Sequence, residues 1–210
     1  MAWIICGCFG LTAYLLGSLP TGYLIAKSLK GIDIRQCGSG STGATNVLRS
    51  VGKEAAIAVL AIDILKGAIA LLFVRVFYEM TNGDLLPLSW QPWLVTLVGI
   101  LVILGHSKSI WLQFKGGKSV ATSLGVLFVM NPLVALGTLT VFGLVLALRH
   151  IVSLGSISGA FAVNILMVFF HQPLPYCLFA AIAGFYVIIR HRSNIERLLI
   201  GTEPAIGKQI

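Results

Sequence analysis

An all-α integral membrane fold is predicted by three observations. Hydrophobic residues make up 57% of the 210-residue chain and charged residues only 10%, where a soluble domain carries about 25% charged residues. Apolar runs long enough to cross the hydrocarbon, which takes about 20 helical residues, recur from one end of the chain to the other. The basic residues fall in the connections between those runs, as the positive-inside rule demands. Together they predict one integral domain over residues 1–210: a seven-transmembrane-helix bundle with some helices short, the N-terminus outside and the C-terminus in the cytoplasm.

The first run lies near 3–26. Its opening, Met1-Ala2-Trp3-Ile4, has no basic n-region and no clear small-residue cleavage site after it, so it reads as a span and not as a removed signal. Further runs lie near 55–78, 93–111, 151–170 and 174–190. The stretch 119–148 reads as one long span or as two short ones divided at Asn131-Pro132. Proline removes a donor and restricts the residue before it, which favours a break there.

Charge decides between the two. If the 27–53 connection, with Lys27, Lys30, Arg35, Arg49 and Lys53, is cytoplasmic, the 79–92 connection is external, and it carries Glu79 and Asp84 but no base. The 106–118 connection, with Lys108, Lys115 and Lys118, is then cytoplasmic again. Two spans within 119–148 bring Arg149, Arg190, Arg192 and Arg197 to that same side, so that thirteen of fifteen Lys and Arg share one face. Lys66 and Arg75, inside the second span, are the exceptions. The fourth span of this arrangement is short, and the glycines spread through the spans suit close helix packing in lipid.

The formal net charge of +8 is thereby explained by topology, and no nucleic-acid partner is expected. Cys6, Cys8, Cys37 and Cys177 are scattered, and the four histidines form no HExxH pattern. No metal and no organic cofactor is expected.

Four polar segments fall at the predicted cytoplasmic face. The first runs from Gly38 to Arg49. Gly38, Gly40 and Gly43 permit turns that aim N–H groups at one point; Ser39, Ser41, Thr42 and Thr45 add hydroxyls, Asn46 an amide, and Arg49 a planar fork suited to phosphate. The second, Phe114-Lys115-Gly116-Gly117-Lys118-Ser119-Val120-Ala121-Thr122, lacks Walker A spacing but sets two lysines beside a helix start, where phosphate is favoured. The third is the Arg149–Ser153 turn. The fourth, Arg190–Arg197, spaces His191, Asn194 and Arg197 three apart, on one face of a continuing helix. Asp63 and Lys66, at i, i+3 inside the second span, are costly in lipid and are expected either to support the floor of a site built from those segments or to form a purely structural internal pair. Two phosphate-friendly loops on an apolar chain predict an enzyme acting on phosphorylated substrates at a membrane surface.

Several of these pieces occur together in one family. Gly17-Ser18-Leu19-Pro20-Thr21-Gly22-Tyr23, the Gly38–Arg49 run, Asp63-Ile64-Leu65-Lys66-Gly67, Gly105-His106, the Phe114–Thr122 run, the Arg149–Ser153 turn and His191–Leu198 appear in order over nearly the whole chain. In this the chain resembles the bacterial acyl-phosphate-dependent glycerol-3-phosphate acyltransferases, the PlsY family. Many members have asparagine where this chain has Ser41.

The resemblance implies transfer of an acyl group from acyl phosphate to the 1-hydroxyl of glycerol 3-phosphate, giving lysophosphatidic acid and inorganic phosphate. It implies a multi-pass protein of the bacterial inner membrane, with its active site facing the cytoplasm and a separate peripheral enzyme supplying acyl phosphate. It places Ser39, Arg49 and Lys118 at a phosphate, with His191 also catalytic. It matches Thr45 and Asn46 to further active-site residues and His191 and Asn194 to the glycerol 3-phosphate grip; with the segments read above, Gly38, Gly40, Ser41, Lys115, Gly116, Gly117 and Ser153 are also expected to bind substrate. The proton acceptor is either His191 or a substrate phosphate oxygen. A transporter of a phosphorylated small molecule is the competing reading; against it stand the clustering of polar groups at one face and the lack of an internal repeat.

Overall fold

In a computed structural model, which describes residues 1–206, the chain is built from ten α-helices and three short 3-10 turns. Lys208, counted above with the cytoplasmic bases, lies outside the described residues. The helices form two compact units that meet in sequence at Met130 and Asn131.

The first unit holds α1 (Ala2–Ser18), α2 (Thr21–Lys30), α3 (Ala44–Ser50), α4 (Lys53–Thr81), α5 (Gln91–Ser107) and α6 (Val120–Met130). Here α1 packs along α5 and α4 along α6, and both seams rest on glycine. A Cβ on Gly17 would lie 2.1 Å from the Val102 carbonyl oxygen, and one on Gly105 would lie 2.2 Å from that of Tyr14. In the other seam, Gly67 faces the Thr122 carbonyl and Gly125 that of Ile64, each with about 2 Å for an added Cβ. In lipid no hydrophobic force pulls helices together, so such backbone approach supplies the packing.

The second unit holds α7 (Pro132–Arg149), α8 (Val152–Phe169), α9 (Leu174–Arg190) and α10 (Arg192–Leu199), with α8 packed between α7 and α9. Among the described residues, five stretches, Ala2–Lys30, Lys53–Thr81, Leu88–Ser107, Pro132–Arg149 and Val152–Phe169, are long and apolar enough to cross a membrane. The pair α9 and α10 makes a sixth if counted together, bent by 60°. Large apolar side chains such as Trp3, Leu65, Phe161 and Phe185 point outward, as lipid-facing surface does and water-facing surface rarely does.

Three departures from the sequence reading have local causes. The run at 3–26 is broken at Leu19-Pro20 into α1 and α2, because Pro20 has no N–H to give. Ser109 Oγ reaches from afar to donate to Ser18 O at 2.6 Å, and Lys66 Nζ donates to Leu19 O at 3.2 Å beside the local Thr21 N–H at 3.0 Å. The run at 93–111 leaves the helix after Ser107 and enters a 3-10 turn at Ile110–Leu112. The expected continuing helix over 190–197 breaks at His191, so His191 does not share one straight face with Asn194 and Arg197.

The break at Asn131-Pro132 is present. The Asn131 side chain accepts from the N–H groups of Leu133 and Val134 at 2.9 and 3.1 Å, capping α7, and Pro132 takes its first position, where a missing N–H costs nothing. At 11 residues, α6 rises only about 16 Å. Its C-terminal end is closed by the Arg75 guanidinium, which donates to the Val129 carbonyl.

Candidate functional site

The first loop is organised by one buried side chain. Asn46, 1% exposed, accepts from the Ser39 N–H at 3.0 Å. Its amide nitrogen donates toward the carbonyls of Cys37, Ser41 and Ile34 at 2.9, 2.9 and 3.2 Å. The loop thus curls around Asn46, with Gly38 and Gly40 in left-handed backbone at φ 54° and 66°. Thr42 is pressed against α2, where only a glycine at 22 leaves room: a Cβ there would sit 1.9 Å from the Thr42 carbonyl. Beneath lies an apolar cluster of Ala26, Ile34, Val47, Ala55, Ala56 and Val59. Ser39 and Arg49 remain exposed, while Gly40, Ser41 and Thr45 are half-buried.

Asp33 caps the 3-10 turn that leads into this loop and holds Arg35 through both carboxylate oxygens, the shortest contact being 2.6 Å. Arg35 also lies over the Tyr23 ring. The hydrogen bond from Arg35 pulls the Asp33 carboxyl down to about 2, so it is ionised at any physiological pH.

The second loop is held at both ends. Ser109 pairs with Lys115 across a single bridge, and the Gly117 N–H donates to the His106 carbonyl at 3.2 Å. Ser119 takes left-handed backbone at φ 63°, and its hydroxyl donates to the Ile103 carbonyl at 2.7 Å. Lys115 is exposed, Gly116 and Lys118 are half-buried, and Gly117 and Ser119 are buried. Asp33, Arg35, Gln36 and Gly40 from the first loop line a cleft of about 280 Å³ with Gln113 and Lys115 from the second. The two loops of this unit therefore meet, and the cleft between them carries a net positive charge.

Below the second loop lies a buried ion pair. Lys66 Nζ is 2.8 Å from Asp63 Oδ1, and His106 Nδ1 is 3.5 Å from the same oxygen. All three side chains are buried.

In the second unit, Ser153 and Asn194 are buried and converge on a residue that sequence reasoning missed. Glu203 Oε1 accepts from the Ser153 hydroxyl at 2.7 Å and from the Asn194 amide, and its Oε2 accepts from Arg197 Nε at 2.7 Å. Its side chain is 3% exposed. Burial by itself would raise its pKa, but the three hydrogen bonds outweigh that and hold the carboxyl below its usual value. The Ile206 N–H then donates to the His150 carbonyl, so the segment after α10 straps back over the α7–α8 turn. His191 is buried, with Nδ1 2.7 Å from the Val187 carbonyl. Facing a carbonyl, Nδ1 carries the proton of the neutral ring and Nε2 the lone pair. The signal for Glu203 was a lone acid after a basic helix; that for His106 was its place in the Gly105-His106 pair.

A family model described as glycerol-3-phosphate acyltransferase matches residues 7–201. The chain belongs to the glycerol-3-phosphate acyltransferase family. Among its relatives are the glycerol-3-phosphate acyltransferases of Rippkaea orientalis, 60% identical over 100% of this chain and 97% of the relative, and of Nostoc sp., 60% identical over 99% and 95%. Two solved structures of PlsY, an integral membrane glycerol 3-phosphate acyltransferase, share the fold. Its glycerol 3-phosphate form superimposes with a TM-score of 0.85 at 38% identity, covering 96% of each chain. Its lysophosphatidic acid form gives 0.82 at 37%, covering 96% of this chain and 95% of the other.

Proposed function

We propose that the chain, acting over residues 1–210 as one acyltransferase domain, moves an acyl group from acyl phosphate to the 1-hydroxyl of glycerol 3-phosphate. The observation that carries this reading is the family match over residues 7–201, with relatives named glycerol-3-phosphate acyltransferases; the cleft where the two loops meet, bordered by Gly40 and Lys115, supports it. The solved PlsY forms hold the acceptor and the product of such a transfer.

The attacking oxygen forms an ester bond to the acyl carbon, the bond from that carbon to the phosphate oxygen breaks, and orthophosphate leaves. Ser39, Arg49 and Lys118 serve the phosphate of the donor and the charge that develops on it, and Gly38, Gly40, Gly116 and Gly117 shape the two loops against the substrates. Ser41, Thr45 and Lys115 border them, and Asn46 keeps the first loop in shape. His191, Ser153 and Asn194 serve glycerol 3-phosphate. The hydroxyl proton passes to His191 Nε2 or to a phosphate oxygen of the substrate; the Nδ1 contact to Val187 supports the ring as an acceptor. Fixing both substrates supplies proximity, and no cofactor is needed because the mixed anhydride is already activated.

The distribution of bases supports seven spans with the N-terminus outside and the site toward the cytoplasm of a bacterial inner membrane. A peripheral enzyme would deliver acyl phosphate there.

Purified protein in detergent, given acyl phosphate and glycerol 3-phosphate, should release orthophosphate only when both are present. Arg49→Ala and Lys118→Ala should each lower kcat/KM by about 100-fold or more. No release with either order of addition, together with uptake of glycerol 3-phosphate into protein-containing vesicles, would replace the enzyme by a transporter.

A further inference from the structure

We infer that His106 is a positioning residue: set beside the Asp63 carboxylate, its imidazole is the seat on which Gly117 rests, and that seat sets where Lys118 presents its ammonium. The inference rests on the reading of Lys118 as a phosphate ligand.

Every part of His106 is engaged with something that fixes the loop. Its carbonyl takes the Gly117 N–H at 3.2 Å. Its ring lies so close under the loop that a Cβ on Gly117 would be 2.1 Å from Nε2, and a Cβ on Gly116 would be 2.3 Å from the His106 carbonyl oxygen. The two adjacent glycines are thereby explained: residue 116 passes over the backbone of His106 and residue 117 over its side chain. Ser119, on the other flank, is tied to Ile103, within one turn of His106 on α5. Lys118 therefore springs from between two anchored residues.

Asp63 Oδ1 lies 3.5 Å from Nδ1, an electrostatic contact to the ring. Asp63 is paired with Lys66 at 2.8 Å, and Lys66 donates to the Leu19 carbonyl at the α1–α2 break. A rotation of the imidazole would forfeit the Asp63 contact inside a buried site, where lost polar partners are expensive. The chain leading into the first loop and the seat of the second thus hang from one carboxylate on α4.

A loop displaced by about 1 Å costs on the order of 100-fold in rate when it carries a group that must meet a transition state. The test is a double-mutant cycle on the purified full-length protein, reading kcat, KM for acyl phosphate, inhibition by orthophosphate and the unfolding midpoint. Gly117→Ala should lower kcat/KM by about 100-fold. His106→Asn, whose amide keeps a donor for Asp63 while removing the seat, should raise KM for acyl phosphate and weaken orthophosphate inhibition at least tenfold with an unchanged midpoint. In the His106→Asn background, Gly117→Ala should cost less than threefold more, because the clash has gone.

Equal penalties for Gly117→Ala in both backgrounds overturn the inference, as does a His106→Asn enzyme within twofold of wild type. If Gly117→Ala does not fold, the His106→Asn kinetics alone decide. Lys118→Ala separates the two levels: an inactive Lys118→Ala beside a wild-type-like His106→Asn removes only the role of His106. A Lys118→Ala enzyme with wild-type kcat/KM removes the phosphate reading and this inference with it.

Discussion

Glu203 gathers a hydroxyl, an amide and a guanidinium onto two oxygens. Charge-assisted hydrogen bonds contribute about 1.5–3 kcal/mol each when buried, so Glu203→Gln should cost about 2 kcal/mol of unfolding free energy. Its depressed pKa gives the sign of the pH dependence. A carboxylate more acidic in the folded state stabilises fully above its unfolded value of about 4.3, and that contribution is lost as pH falls through the folded value. The gap between wild type and Glu203→Gln, measured by thermal unfolding in detergent, should be full at neutral pH and close on acidification below about 4.3. A gap that persists through acidification would show that the carboxylate is not the stabilising form. Ser119 is a second residue with a definite balance. Left-handed backbone costs a non-glycine residue about 1–2 kcal/mol, and the hydroxyl bond to Ile103 returns about 1 kcal/mol. Ser119→Gly should therefore be near neutral, and Ser119→Ala should be destabilised by about 1 kcal/mol. A Ser119→Ala protein as stable as Ser119→Gly would contradict this.

Among the elements, α6 shows most clearly what a helix end needs in lipid. Its last turn is buried, and Arg75 from α4 supplies a donor there. Arg75→Met should lower the unfolding midpoint by an amount equivalent to about 2 kcal/mol, the cost of a buried carbonyl left without a partner. Asn131→Ala, which removes the α7 cap, should cost about 1 kcal/mol. The break between these helices was legible because Pro132 and Asn131 carry the signal locally. The break at Pro20 was not, because apolar residues continue on both sides and the groups that satisfy it, Lys66 and Ser109, come from distant parts of the chain. The two glycine-rich loops were legible as polar runs on an apolar chain. The role of Asn46 as organiser of the first was not, since it depends on three carbonyls that meet only when that loop has folded. Nor was the seat under Gly117, which is defined by the absence of an atom. Glu203 escaped notice because it follows the last helix, where sequence periodicity offers nothing to read.

For the whole molecule, the placement of bases makes a topological prediction. In a cysteine-free background, an impermeant thiol reagent added to intact cells should label Asp84→Cys and leave Ser193→Cys untouched until the membrane is opened. The reverse pattern would invert the proposed orientation. The glycine seams of the first unit also bear on how it tolerates its surroundings. They are made by backbone lying on backbone, with each glycine seated within van der Waals reach of a facing carbonyl. Forces of that kind owe nothing to the ordering of water. Cooling, which weakens water-driven burial in soluble proteins, should leave these seams as tight in a chilled membrane as in a warm one.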